Sequence, residues 1–215
     1  MSLRGLYPIV DLETLEQRKL SPLEFAERVL VARPPILQLR AKAVGAARAL
    51  AVLRELVPRC RAAGCLLFAN DRPDLALLAG TDGVHVGQDD VPLAEVRRLA
   101  PRLQIGVSTH TLAELKAALA ERPDYVAFGP VFATPSKLNP EPVVGIEGLE
   151  QAHALAQNAG IPLVAIGGID LERAPDVARH AEAAAIIGAL VPREGELATV
   201  TERALGLSRA LGNRG

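Results

Sequence analysis

The densest chemistry in the chain lies in Thr134-Pro135-Ser136-Lys137, where two hydroxyls and one ammonium fall within four residues, just after the apolar run Tyr125 to Phe128 and the break Gly129-Pro130. Donors at that spacing suit a negatively charged ligand, a phosphate above all, although a solvated turn of the same composition needs no ligand. Matching groups recur along the chain. Gln38, Arg40 and Lys42 alternate with Leu39 and Ala41, so Gln38 and Arg40 share one face of a strand and Lys42 follows onto its rim. Asn70-Asp71 and Asp89-Asp90 place carboxylates after two further apolar runs, His85 leads into the second pair, and Ser108-Thr109-His110-Thr111 follows another run. Carboxylates beside Arg40, Lys42 and Lys137 imply a magnesium ion held by one or two aspartates, with the cations gripping the phosphate oxygens that complete its shell. The plainer alternative for each acidic pair is a helix cap, a position that favours Asp and Asn. His85 and His110 read first as hydrogen-bonded structural imidazoles, and His153 and His180 as surface residues in helix patterns. Neither a Ser-His-Asp order nor a zinc-ligand spacing recommends a hydrolase.

Alternating strands and helices must position these groups. Gly5 to Val10 is a short apolar strand, and Ser21-Pro22-Leu23-Glu24 opens a helix with Ser21 as cap, Pro22 in the first turn and Glu24 completing a capping box. Further strands are expected at Ile36 to Arg40, Leu66 to Asn70, Gly83 to Val86, Gln104 to Thr109, Tyr125 to Phe128, Pro162 to Ile166 and Ala183 to Ile187. Between them run helices marked by Leu50, Leu53 and Val57 and ending near Gly64, by Asp74 to Ala79, by Leu93 to Ala100, and by Leu112, Leu115 and Leu119. Others span Ile146 to Ala159 and Leu171 to His180, and a last one carries Leu197, Val200, Ala204, Leu207 and Leu211. Such alternation demands a parallel sheet, and eight units closing on themselves make a (β/α)8 barrel, here one domain over residues 1–215. An open doubly wound sheet is the alternative, but no GxGxxG follows the first strand, where a dinucleotide-binding sheet would carry one. In a barrel the active site lies at the C-terminal strand ends, which is where the polar residues above fall. The seventh and eighth strands end in Gly167-Gly168 and Ile187-Gly188, whose backbone N–H groups can approach a phosphate closely.

Composition limits the partners. A formal net charge of -1 with scattered Lys and Arg argues against a nucleic-acid footprint, so any anion site is local. No stretch approaches the roughly 18 apolar residues of a membrane span, which leads us to expect a soluble cytoplasmic protein; homo-oligomerisation is left open. Cys60 and Cys65 lack metal or redox spacing and read as buried free thiols at a helix end and a strand start.

In these motifs the chain resembles the thiamine-phosphate synthase family, also called thiamine-phosphate pyrophosphorylases, from about Leu6 to Leu190. The family's Gln-Leu-Arg-x-Lys is Gln38 to Lys42, its Asn-Asp is Asn70-Asp71, its His-x-Gly-Gln-x-Asp is His85 to Asp90, and its Ser-x-His-Thr is Ser108 to Thr111. Its Thr-x-Thr-Lys loop corresponds to Thr134 to Lys137 and its Ile-Gly-Gly-Ile to Ile166 to Ile169. The resemblance implies a (β/α)8 transferase that joins hydroxymethylpyrimidine diphosphate to hydroxyethylthiazole phosphate and releases pyrophosphate. It implies that Gln38, Asn70 and His85 hold the pyrimidine substrate, within a segment that includes Leu39 and Ala41, and that Arg40, Lys42, Ser108 and Lys137 bind its diphosphate. Lys137, Ser108 and Arg40 are then the groups closest to catalysis, and Asp71 and Asp90 the ligands of Mg2+. Thr134, Pro135, Ser136, Gly167, Gly168, Ile187 and Gly188 would hold the thiazole phosphate.

Three positions depart from the family pattern. Ala41 replaces a common Glu or Asp, Ser136 replaces the second Thr, and Gly188 stands where Ser is frequent. A thiazole tautomerase of the same fold is one alternative, but it typically lacks the Asn-Asp and the second metal Asp, and it carries a catalytic His where this chain has Pro130. A non-catalytic thiamine-precursor-binding protein is the other, motivated by Ala41 and Gly188.

Overall fold

The computed structural model describes residues 3–134, 142–192 and 197–212. Eight strands, β1 (Gly5–Asp11), β2 (Ile36–Arg40), β3 (Leu66–Asn70), β4 (Gly83–Val86), β5 (Gln104–Thr109), β6 (Tyr125–Phe128), β7 (Leu163–Ile166) and β8 (Ala183–Ile186), form a closed parallel barrel in sequence order. Closure comes from β1 pairing with β8, Gly5 opposite Ala183 and Pro8 opposite Ile186. The expected barrel is therefore the observed fold, and the open doubly wound sheet is not. A parallel sheet needs both faces covered, which accounts for the nearly unbroken burial of every strand.

Helices α2 (Pro22–Leu30), α3 (Ala46–Ala63), α4 (Pro73–Ala79), α5 (Leu93–Leu99), α6 (Leu112–Ala120), α7 (Gly145–Ala159) and α9 (Ala198–Ala210) follow strands as the apolar spacing predicts. Ser21 caps α2, its hydroxyl accepting from the Glu24 amide at 3.3 Å, and Gly64 ends α3 in the left-handed conformation at φ 68°. Two elements differ from expectation. Asp11 to Gln17 adds a short helix, α1 (Leu12–Gln17), because Asp11 Oδ1 accepts from the Thr14 amide at 2.9 Å and starts it. The helix expected from Leu171 to His180 contracts to α8 (Ala174–Val177), with turns on either side, since Pro175 suits only a first turn. His153, within α7, and His180, in the turn after α8, are half-buried instead of on the surface as expected, and His153 lies 3.4 Å from Glu182. Cys60 and Cys65 are buried free thiols as expected, and mutual contact with burial pushes the Cys65 thiol far above its usual range.

The core has two layers. One lies between barrel and helices, filled by residues such as Leu6, Val10, Leu37, Leu67, Val84, Ile105 and Leu163. The other plugs the barrel with Leu3, Tyr7, Ile9, Ile36, Phe68, Tyr125, Val164, Ala183 and Ala185. Two glycines make room inside. A Cβ at Gly83 would strike the Phe68 ring, and one at Gly106 would strike the Tyr125 ring, so the two rings occupy volume that β4 and β5 leave vacant. Phe68 is fully buried, and trimming such a ring to alanine costs about 3–5 kcal/mol. The apolar plug thus forms a rigid floor beneath the strand ends.

Candidate active site

At the C-terminal rim, β2, β3 and β4 present crowded charge. Period-2 alternation turns Gln38 and Arg40 to the same side of β2, as the sequence predicts; Gln38 is buried and Arg40 half-buried. Arg40 hydrogen-bonds the buried Asp11 carboxylate, and Glu13 lies 3.8 Å from the same guanidinium. Lys42 lies 3.1 Å from Asp71. Neither acidic pair caps a helix through its side chains: the cap residues are Arg72 for α4 and Pro92 for α5, and neither makes a side-chain cap bond. Instead Asp71 takes a left-handed conformation at φ 61° while its amide donates to the His85 carbonyl at 2.7 Å. That geometry carries its carboxyl toward Asp90, and the two side chains come within hydrogen-bonding reach. Burial first, and Asp90 second, hold the Asp71 pKa above the ordinary carboxylate value, with Lys42 opposing. Asp90 Oδ2 is steadied by the Gly87 amide at 2.7 Å. Asn70 ends β3 beside His85 of β4, half-buried. Hard carboxylate oxygens in like-charge contact, with no capping duty, form a donor set that fits magnesium.

Below this rim a chain of polar groups crosses the barrel. Gln38 Nε2 donates to the Tyr7 hydroxyl at 2.8 Å, which lies 2.8 Å from the Tyr125 hydroxyl. The Tyr125 hydroxyl is 2.8 Å from His85 Nδ1, and His85 Nε2 is 2.7 Å from Ser108 Oγ. His85 and Tyr125 stack with ring centroids 5.5 Å apart. Burial pushes both phenols well above their ordinary pKa, so they stay protonated. His110 serves the scaffold instead, its Nδ1 lying 2.6 Å from the Gly129 carbonyl oxygen.

The β6 to β8 side is built from backbone. A Cβ at Gly129 would strike the Ile166 carbonyl, and Cβ atoms at Gly167 and Gly168 would lie 2.5 Å from Pro130 and 2.6 Å from the Ala133 carbonyl oxygen. The loop after β6 is thereby seated on the end of β7, tied by the Val131 amide to the Ile166 carbonyl at 2.9 Å and by Phe132 to Gly167 at 3.0 Å. The amides of Gly167, Gly168 and Gly188 donate to no acceptor among the described residues. Thr134 is half-buried at the end of this loop, and Ile187 lies beside the exposed Gly188. Pro135, Ser136 and Lys137 lie outside the described residues.

Leu39 and Ala41 complete the β2 segment; Leu39 faces the helices, and Ala41 lies beside it in a shallow cleft with Asn70 and Arg72. A wider cleft of about 420 Å³ opens at the opposite end of the barrel, near Leu3, Arg4 and Glu182, away from these groups. The structure brings Gln38, His85 and Ser108 into one network and Lys42, Asp71 and Asp90 into another. It adds Tyr7, Asp11, Glu13 and Tyr125, which motif reading missed. Tyr7 and Asp11 carried a usable signal, since period-2 alternation along β1 turns them inward with Ile9.

A closed parallel barrel whose C-terminal rim gathers a carboxylate pair, cations and open strand-end amides belongs to the (β/α)8 class, whose enzymes carry their chemistry at that rim. Residues 6–190 match the profile of thiamine monophosphate synthase, and the chain belongs to that family. It is 40% identical to the thiamine-phosphate synthase of Methanocella arvoryzae, over 88% of each chain. It is 39% identical to that of Koribacter versatilis, over 90% of this chain and 93% of the relative. A solved thiamine phosphate pyrophosphorylase from Pyrococcus furiosus superposes with a TM-score of 0.84 at 29% identity, covering 98% of this chain and 96% of that one.

Proposed function

We propose that this chain is a transferase that condenses hydroxymethylpyrimidine diphosphate with hydroxyethylthiazole phosphate to give thiamine phosphate and pyrophosphate. The observation that carries the reading is the Asp71–Asp90 contact beside Lys42, a carboxylate pair with no helix-capping role on the rim of a barrel of this family. A metal-free tautomerase has no use for such a pair, and Pro130 occupies the place where that paralogue carries its catalytic His.

Gln38 and Asn70 hold the pyrimidine, with His85 beneath it. Arg40, Lys42, Ser108 and Lys137 contact the diphosphate, Arg40 exchanging part of its present pairing with Asp11 for the incoming anion. Asp71 and Asp90 would hold magnesium, which when bound supplies charge neutralisation for the departing pyrophosphate. Thr134, Ser136 and the amides of Gly167 and Gly188 hold the thiazole phosphate. The bond between the pyrimidine methylene and the diphosphate oxygen breaks with its electron pair on oxygen, and the thiazole nitrogen forms the new C–N bond. Donors aimed at the developing charge and a second substrate held in place lower the barrier without a protein nucleophile. Both substrates are small phosphorylated molecules, and we place the reaction in the cytoplasm; no helix among the described residues is long and apolar enough to cross a membrane.

The test is direct. Both precursors mixed with enzyme and magnesium should yield pyrophosphate and thiamine phosphate in equal amounts. Tight precursor binding without turnover would instead assign the chain to the non-catalytic precursor binders, and thiazole isomerisation alone to the tautomerases.

A further inference from the structure

The five-member chain Gln38–Tyr7–Tyr125–His85–Ser108 joins the two ends of the pyrimidine diphosphate site through Tyr7 and Tyr125, to which the reaction above gives no task. Its hydrogen bonds can be counted. Tyr7 is fully enclosed, and its hydroxyl accepts the Gln38 Nε2 proton, so the one proton it owns has a single outlet among the described residues, the Tyr125 oxygen. Tyr125, also enclosed, must then pass its own proton to His85 Nδ1. A proton already on Nδ1 would strand the Tyr125 proton in the apolar interior, an arrangement that buried polar groups avoid. His85 therefore carries its proton on Nε2 and donates it to Ser108 Oγ. That leaves the Ser108 proton pointing out of the network, toward the rim.

We infer that Tyr7 and Tyr125 are positioning residues that set one polarity along this chain, so that Ser108 presents a hydrogen-bond donor to the diphosphate while Gln38 presents its carbonyl oxygen to the pyrimidine. The two ends are coupled. Reversing the direction of any bond would turn the Gln38 amide over and make Ser108 an inward donor to His85, leaving an acceptor lone pair facing an anion. Neither tyrosine touches substrate; each acts through its neighbour. The inference rests on the functional reading above for the identity of the ligand, but the proton arrangement itself does not.

The two tyrosines predict different losses. Tyr125→Phe removes the donor to Nδ1, so His85 can take the other tautomer and accept from Ser108; magnesium pyrophosphate, used as a probe of the Ser108 end, should bind about tenfold more weakly by calorimetry. Tyr7→Phe keeps the Tyr125 bond to His85 and releases only Gln38; pyrophosphate affinity should stay near parental while KM for the pyrimidine diphosphate rises with kcat little changed. Ring 15N spectra of the parent protein should show His85 Nε2 as the protonated nitrogen and Nδ1 as the bare one, with that preference lost in Tyr125→Phe and kept in Tyr7→Phe. Circular dichroism melts confirm that each variant folds. A parent His85 protonated on Nδ1, or equal pyrophosphate losses in both variants, overturns the inference. The 15N and calorimetric readouts need no turnover, so absent condensation activity would overturn the functional proposal alone.

Discussion

Along β2 to β4 the rim is made of charged side chains in mutual contact, whereas along β7 and β8 it is made of glycine backbone, with one cation, Arg173, bound to the Gly168 carbonyl oxygen at 2.7 Å. On the first side Lys42, Asp71 and Asp90 stand together, and the negative charge of the aspartates can be offset by the Lys42 ammonium or by a metal ion. On the second, the donors are amides whose direction is set by packing: Gly167 at φ 101° and Gly168 at φ 64° lie under the β6 loop, which leaves no room for a Cβ. Charged side chains make a tunable site, and packed amides make an invariant one. The two sides should therefore respond differently to metal, substitution and pH.

The largest difference should come from Asp71→Asn, which keeps the shape of the carboxyl but removes its charge. The condensation rate should fall by about two orders of magnitude, and the magnesium concentration giving half activation should rise, because magnesium tolerates few neutral substitutes for a carboxylate. Asp90→Asn should behave alike. Near-parental rates and unchanged magnesium midpoints in both would falsify the shared metal site. The matching break on the other side is Gly167→Ala. It combines a positive φ with a clash against Pro130 and should lower stability by about 1–3 kcal/mol. The same change should raise KM for the thiazole phosphate while leaving the magnesium midpoint where it was. A shift in that midpoint would mean that the two sides are not independent.

Gly188→Ser should have a smaller effect. Gly188 is exposed and is not held at a positive φ, so its backbone conformation does not oppose a side chain, and the thiazole KM should fall or stay the same. Gly188→Val should raise it by crowding the phosphate. If both behave as the parent does, β8 does not line the site. The smallest effect is on stability. The folded-state pKa of Asp71 lies above its unfolded value, so its contribution to stability is complete below the unfolded pKa and is lost as pH rises through the folded one. Thermal melts without metal should thus fall modestly as pH climbs past the ordinary carboxylate range. Magnesium should restore the loss, Asp71→Asn should flatten the curve, and Gly188 variants should leave it unaltered.

Much of this was legible in the chain itself. Apolar runs of strand length ending in polar residues located all eight strands, because burial on both faces of a parallel sheet demands such runs. The function of a barrel's C-terminal end made those endings candidates before any contact was known. Local rules also placed Ser21 as a cap and Gly64 as a helix stop. The helix from Leu12 escaped notice because its one clear signal, Asp11, also terminates a strand.

What period and motif could not supply was which side chains meet. Tyr7 and Tyr125 are 118 residues apart and share a hydrogen bond only because barrel closure points β1 and β6 at the same axis. The left-handed turn at Asp71, which directs its carboxyl to Asp90 instead of to the amides of α4, is likewise held by a bond to the neighbouring strand. Sequence by itself determined the elements and the ends at which chemistry would gather, since those follow from local periodicity and solvation. Tertiary structure alone decided the pairings, since lateral contacts among parallel strands depend on register and closure, which no local pattern encodes.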